Sequence, residues 1–336
     1  MNAFTYSRAH DLAGTLKEIG GNEKAMLIAG GTNLIDLMKE NVARPSHLVD
    51  ITRLPLSRIE PLADGGLRLG ALSTNSQVAY HPEVERRYPL LAKAILAGAS
   101  PQLRNMATTG GNLLQRTRCV YFYDLAASCN KREPGSGCAA LHGWNKQHAI
   151  LGTSEQCIAT HPSDMCVALA ALRATVLVEG PEGQRAIPFS ELHRLPGDAP
   201  ELDTTLLRGE VITAVDLPPE GFAEHHAYLK VRERTSYAFA LVSVAAALVL
   251  DGNRIQLARL ALGGVAHKPW RVERSEALLE GKAPTREAFE AAAADVLRGA
   301  RGFGHNDFKI ELARRAVVRA LTQAAPEVAR DHDVHR

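Results

Sequence analysis

All five cysteines of this 336-residue chain fall in one central stretch, from Cys119 to Cys166. Residues 115–157, which hold four of them, break every hydrophobic periodicity. The stretch contains Gly, Pro, Cys and aromatic residues but no amphipathic helix of useful length. A loop this long inside a compact domain is uncommon unless something else organises it. The chain therefore has to fold as regular units on either side of an irregular insertion. The gaps between Cys119, Cys129, Cys138 and Cys157 are 9, 8 and 18 residues. No Cys-x2-Cys pair is present, so zinc-ribbon and ordinary ferredoxin spacings both fail. Four readings stay open on the residues alone: a thiolate-held metal centre, two disulfides, a structural zinc, or unrelated buried thiols. Cys166 lies in the apolar segment Asp164–Leu172, a helix by its pattern, and reads as a core residue outside the ligand set.

The regular parts carry an ordinary globular composition, 46% hydrophobic and 23% charged, enough for a real core. Net charge is +2 and no basic run is present, which excludes a nucleic-acid partner. The longest apolar run, Tyr237–Leu250, is too short to cross a bilayer and is expected to be a buried strand. Met1–Tyr6 lacks a basic n-region and an apolar h-region, so the chain is expected to carry no secretory signal of its own.

Three units are expected. Residues 1–52 read as a small α/β unit: helix Asp11–Gly20, strand Ala25–Ala29, a glycine turn, helix Leu34–Glu40 and strand His47–Ile51. Residues 53–220 form a second unit. It has strands Ile59–Pro61 and Gly66–Gly70, helices Asn75–Ala79 and Leu90–Ala99, the cysteine-rich loop 115–160, the helix Ser163–Leu172 and the strand Ala174–Glu179. Residues 221–326 form a third, with a strand Tyr228–Arg232 and two long strands joined through Asp251-Gly252, a hairpin signal. Helices Arg286–Leu297 and Asp307–Ala324 follow, then a charged tail, 327–336, expected to fray.

Two glycine loops carry chemistry. In Met26-Leu27-Ile28-Ala29-Gly30-Gly31-Thr32-Asn33-Leu34 the glycines remove side chains and permit conformations closed to other residues. Backbone N–H groups then point at a phosphate, and Thr32 and Asn33 cap the next helix or bond phosphate oxygens. Thr108-Thr109-Gly110-Gly111-Asn112 repeats the pattern. Two such loops suit a diphosphate gripped from both sides, although each alone reads equally well as a turn. Neither is a G-x-G-x-x-G or a P-loop.

These loops resemble those of the FAD-binding subunit in the molybdenum hydroxylase family, which includes xanthine dehydrogenase, carbon monoxide dehydrogenase and aldehyde oxidoreductases. His161-Pro162-Ser163-Asp164 resembles the family's Ser-Asp element, and Tyr228–Arg232 resembles the strand whose Lys reaches the flavin. Leu262–Ala266 resembles its C-terminal domain. The segments Gln102–Asn105, Leu113–Cys119 and Tyr121–Asp124 look most like the flavin subunit of the bacterial periplasmic aldehyde oxidoreductases. The likeness spans residues 1–325.

The resemblance implies an α+β protein: a PCMH-type FAD-binding fold of two α/β subdomains, then a C-terminal antiparallel sheet with helices. It implies FAD held by residues 26–34, Thr108, Thr109, Gly111 and Asn112, with Asp164 on the flavin nucleotide and Lys230 on the ring. It also implies a [4Fe–4S] cluster on Cys119, Cys129, Cys138 and Cys157. The partners would be a small [2Fe–2S] subunit and a large molybdenum-cofactor subunit that oxidises an aldehyde, with electrons leaving FAD for an external acceptor. In the resembled enzymes the small subunit bears the export signal, so the expected compartment is the periplasm by co-export, or else the cytoplasm.

Blander roles stand beside these. Asp164 reads also as a helix cap, and Lys230 as a solvent-facing strand residue. His142, His148 and His161 read as surface or supporting residues, and Tyr121, Phe122 and Tyr123 as core or as lining between cluster and flavin. Asp124 and Glu155 pair with no acid, and no Ser-His-Asp grouping supports hydrolysis. Other expectations kept in view are a xanthine dehydrogenase-like or hydroxybenzoyl-CoA reductase-like subunit, a self-sufficient flavin oxidase, and a zinc-held non-catalytic module.

Overall fold

The structure, a computed structural model, describes residues 1–325. The expected tail, 327–336, lies outside the described residues. The N-terminal unit runs β1 (Thr5–Arg8), helix Leu12–Gly21, β2 (Ala25–Ile28), helix Leu34–Lys39 and β3 (His47–Asp50). Its strands form a parallel sheet in the order β1-β3-β2, with Thr5 and Ala25 on either side of His47. Strand β1 was not legible in advance. It is a largely exposed edge strand and carries no apolar alternation.

The second unit holds β4 (Ile59–Pro61), β5 (Leu67–Gly70), β6 (Thr175–Gly180), β7 (Gly183–Pro188) and β8 (Val211–Leu217). They form an antiparallel sheet in the order β4-β5-β8-β6-β7. All eight residues of the helix Asp164–Ala171 are buried. It is apolar all round after its first residue, as a helix covered on every side must be.

That helix is covered by the third unit. Here β9 (His225–Val231), β10 (Val242–Asp251), β11 (Arg254–Gly263) and β12 (Trp270–Arg271) make an antiparallel sheet in the order β12-β11-β10-β9. Alternation along β10 splits its side chains between two cores. Ala245 and Ala247 join the core around the helix Asp164–Ala171. Val244, Ala246 and Leu248 join the core under the helices Arg286–Val296 and Phe308–Ala324. The hairpin turn is Gly252-Asn253, because Asp251 pairs with Arg254. Gly252 alone has positive φ, +53°, the pattern of a type II′ turn with Gly first.

The apolar run from Tyr237 is not all strand. Strand β10 begins only at Val242, and Tyr237 and Phe239 are exposed. The central stretch has one short helix, Val120–Tyr123, and a 3₁₀ turn, Ala139–Leu141. Polar side chains organise the rest by bonding backbone carbonyls. Arg132 donates to the carbonyls of Tyr121 and Phe122, at 2.8 and 3.0 Å. Asn145 donates to those of Ala140 and Phe303, at 3.1 and 2.8 Å. No helix among the described residues is long and apolar enough to cross a membrane.

Candidate functional site

The two glycine segments meet. A Cβ on Gly30 would lie 1.8 Å from the carbonyl oxygen of Met106, so only glycine lets the first loop touch the approach to the second. Gly31 has φ of +72°, which turns the chain into the helix Leu34–Lys39. Among the described residues, none of the N–H groups of Gly30, Gly31, Thr32, Asn33 and Leu34 meets an acceptor. Five consecutive free donors form a nest suited to an anion.

The second segment differs from the expectation that it repeats the first. It is a helical turn, Thr109–Leu113, capped by the Thr108 side chain, which accepts from Gly111 N at 3.2 Å. Thr109 N bonds Ser73 O and Gly110 N bonds Ala71 O, at 2.9 and 2.8 Å. Its donors are therefore spent inside the fold, and Thr109 is fully buried. What it offers is a platform: Gly111, and the Asn112 side chain fixed by Ser163 at 2.5 Å and Asn75 at 2.9 Å.

A groove of about 660 Å³ runs from the first loop to the C-terminal sheet, walled by Thr32, Asn33, Gly111, Asn112, Asp164 and Lys230. Six sequence-predicted residues thus come together, at a volume usual for a small-molecule or cofactor site. Gly30, Gly31 and Leu34 contribute backbone N–H groups beside it, and the side chains of the others do not line it. Leu27 and Ala29 pack in the N-terminal core, and Met26 is exposed. Ile28 and Leu34 end and begin the flanking strand and helix.

Sequence reasoning missed Arg104, Arg118, Tyr237 and Phe239, which also wall the groove. The positive charge of Arg104 and Arg118 was legible in principle, but nothing in their spacing marked them. Asn33 Nδ2, Arg104 Nε and Arg118 Nε are buried donors with no partner. A groove with so many unspent donors fits an anionic ligand such as a pyrophosphate.

Asp164 and Lys230 form a buried ion pair at 2.7 Å. The Asp164 carboxylate also accepts from the Tyr228 hydroxyl at 2.7 Å, and Lys230 donates to Ala97 O at 3.0 Å. Burial first, then the Asp164 charge, pushes the Tyr228 hydroxyl well above its usual range, so it stays a donor. The helix cap is Ser163, which accepts from Cys166 N at 3.0 Å, and this frees Asp164 for the pair. Lys230 is not solvent-facing.

All five cysteines are free thiols, so the disulfide reading is not met. Cys129 and Cys138 face each other on an isolated antiparallel bridge. Cys119 packs against the small cluster that holds Cys129 and Phe122, and Asn130, next to Cys129, donates to the carbonyl of Gln156, next to Cys157, at 3.1 Å, so the four are gathered in one region. Burial pushes the Cys119 thiol up to about 12 and Cys157 to about 11. Without a metal these are inert thiols. Among the described residues no three of the four sulfurs lie within 4.8 Å of one another. Tetrahedral zinc thiolates, with Zn–S near 2.3 Å, hold sulfurs only about 3.8 Å apart. Ala159 N approaches Cys157 Sγ at 3.4 Å, and His148 Nε2 approaches Cys119 Sγ at 3.1 Å.

Cys166 is buried, as expected, with its sulfur within 4.8 Å of His161 and His193 ring nitrogens. His161 Nδ1 accepts from Ser163 N at 3.3 Å, which puts the ring proton on Nε2. His193 Nε2 faces Leu113 O at 2.8 Å, which leaves Nδ1 as the acceptor. The two rings lie 4.4 Å apart, but His161 Nε2 and His193 Nδ1 are both buried without a hydrogen-bond partner, and His142 takes no part.

A five-donor nest beside an open groove defines a nucleotide-binding α+β protein, and the chain's relatives say which kind. The chain belongs to the family of FAD-binding medium subunits of molybdenum hydroxylases. Residues 2–220 match the FAD binding domain in molybdopterin dehydrogenase, and residues 227–324 match the CO dehydrogenase flavoprotein C-terminal domain. Over 325 residues it is 50% identical to the aldehyde oxidoreductase FAD-binding subunit PaoB of Escherichia coli strain K12, covering 96% of this chain and 99% of that one. It is 30% identical to the carbon monoxide dehydrogenase medium chain of Hydrogenophaga pseudoflava, covering 92% and 91%. Among solved structures it is similar to carbon monoxide dehydrogenase from that organism, with a TM-score of 0.75, 28% identity, and coverage of 97% and 99%. Quinoline 2-oxidoreductase from Pseudomonas putida 86 gives a TM-score of 0.74 at 26% identity, covering 97% and 98%. The α+β, PCMH-type expectation is met.

Proposed function

We propose that this chain is the electron-transfer subunit of a heterotrimeric, molybdenum-dependent aldehyde oxidoreductase, carrying both FAD and a [4Fe–4S] cluster. The observation that carries the reading is a juxtaposition. A cavity of about 130 Å³ is lined by Cys119 and His148 and also by Ser163 and Asp164, which line the groove as well. The thiol pocket and the flavin groove thus share a wall.

The N–H groups of Gly30–Leu34 would hold the FAD pyrophosphate, with Asn33, Arg104 and Arg118 supplying further donors. Asp164 and Lys230, fixed on each other, would present polar atoms to the nucleotide and the ring. Cys119, Cys129, Cys138 and Cys157 would hold the cluster, whose larger body suits sulfurs spread wider than zinc holds them. When bound, these groups would supply the electron-carrying chemistry between the [2Fe–2S] and molybdenum subunits and an external acceptor. The protein's own work is to position them, exclude water and supply charge.

Support for an aldehyde substrate is the 50% identity to an aldehyde oxidoreductase subunit. Relatives named for carbon monoxide or xanthine stand at 30% or below. We take residues 1–52, 53–220 and 221–326 as the structural units. We place the chain in the periplasm, carried there by a signal-bearing partner. The test mixes aldehyde with the assembled complex and with this chain alone. Flavin bleaching in the complex and none in the isolated chain supports the reading. Aldehyde oxidation by the isolated chain overturns it.

A further inference from the structure

His148 is buried, and its ring touches one expected cluster ligand. Its Nε2 lies 3.1 Å from Cys119 Sγ, while Nδ1 is buried without a partner. A proton on Nδ1 would leave a buried donor unpaired, which is costly. A proton on Nε2 makes one N–H···S bond. The backbone of His148 is held from three sides. Its N–H donates to Asn145 O at 2.9 Å. Its carbonyl receives Lys309 Nζ at 2.8 Å and Asn306 Nδ2 at 3.3 Å. Lys309 also reaches Gly264 O at 2.5 Å, and Asn306 reaches Ala149 O at 3.0 Å. Asn145, Asn306 and Lys309 are all fully buried. A lysine buried on carbonyls is an expensive way to brace a loop. The expense is intelligible if what it braces must stay in register with a sulfur, beside a centre that gains negative charge.

We propose that His148 is a positioning residue for the cysteine-held cluster: its Nε2–H donates to the Cys119 thiolate and raises the reduction potential of the cluster. The inference rests on the cluster reading above. Hydrogen bonds to cluster sulfurs favour the reduced, more negative state and are among the protein's means of setting the potential.

The test compares wild type, His148→Leu and His148→Gln in the assembled complex. Iron, acid-labile sulfide and an EPR-monitored redox titration are measured on each. If the wild-type chain contributes no iron, the cluster reading fails and this inference fails with it. With iron retained, His148→Leu is expected to lower the reduced-to-oxidised ratio about tenfold at fixed ambient potential, a shift of ~59 mV for a one-electron couple. His148→Gln, which keeps an N–H donor, is expected to recover part of it. An unchanged potential in His148→Leu, or equal shifts in both variants, overturns the inference and leaves the cluster reading standing. If His148→Leu loses its iron, pulsed EPR of wild type labelled with ¹⁵N-histidine decides. A ¹⁵N coupling to the reduced cluster supports the bond, and its absence overturns it.

Discussion

Asp164 and Lys230 pair at 2.7 Å across the junction between the FAD-binding unit and the C-terminal sheet. Asp164 opens the buried helix Asp164–Ala171, and Lys230 sits near the end of β9. One contact therefore ties two units together and forms a wall of the groove. Removing one partner leaves a buried charge unpaired, a loss of about 3–5 kcal/mol. Lys230→Met should lower the denaturant midpoint accordingly, and Asp164→Asn combined with it should lose less than the sum. A double-mutant cycle by urea unfolding checks this, and additive losses would contradict it.

Gly30 should be intolerant of any side chain. The Cβ of Gly30→Ala would lie 1.8 Å from Met106 O, and overpacking of this kind costs about 1–3 kcal/mol. Because the clash parts the two loops, FAD affinity should fall too, by at least tenfold in an equilibrium titration. Gly20, inside the helix Leu12–Gly21, has nothing within 4 Å of a built Cβ. Gly20→Ala should leave FAD binding alone and stabilise the fold by about 0.5–1 kcal/mol.

Acid should loosen the cysteine loop through Asp203. Burial alone would raise its carboxyl, but Arg116 and Lys131 outweigh that and hold it well below the usual range. Their side chains lie at 2.7 and 2.5 Å. A carboxyl depressed in the fold contributes stability that is present above its unfolded pKa, about 3.9. That contribution is lost as pH falls through the folded value. Unfolding free energy should therefore drop below pH ~4, and Asp203→Asn should show a shallower drop over that range. Equal slopes in the two proteins would contradict the assignment.

The cysteines should separate into two classes. Serine at Cys119, Cys129, Cys138 or Cys157 should remove iron while FAD stays bound. Cys166→Ala should change neither iron nor flavin content. Metal analysis with flavin release measures both, and iron loss from Cys166→Ala would contradict the division.

The regular elements were largely legible because their signals are local. The apolar runs and hairpin signal of β10 and β11 and the glycine turn after β2 each act within a few residues, whereas the cap read at Asp164 belongs to Ser163. What escaped depends on distant partners. That Thr109 and Gly110 spend their donors on Ser73 and Ala71 cannot be read from a Thr-x-Gly-Gly-Asn string. Phe239 looked like strand because its side chain is apolar, yet it stands on the groove. Arg118 and His148 gave no periodic or spacing signal; their roles arise from what the cysteine stretch folds against. The solvent-facing alternative for Lys230 stayed open because its counter-charge lies in another unit.

The central claim is that one chain holds FAD in the groove and an iron–sulfur cluster among its four grouped thiols. Anomalous diffraction at the iron and zinc edges, on crystals of the assembled complex, tests it most directly. The account predicts an iron peak enclosed by Cys119, Cys129, Cys138 and Cys157, and FAD density with its pyrophosphate against Gly30–Leu34. A zinc peak, no metal among those sulfurs, or FAD density away from that loop would contradict it.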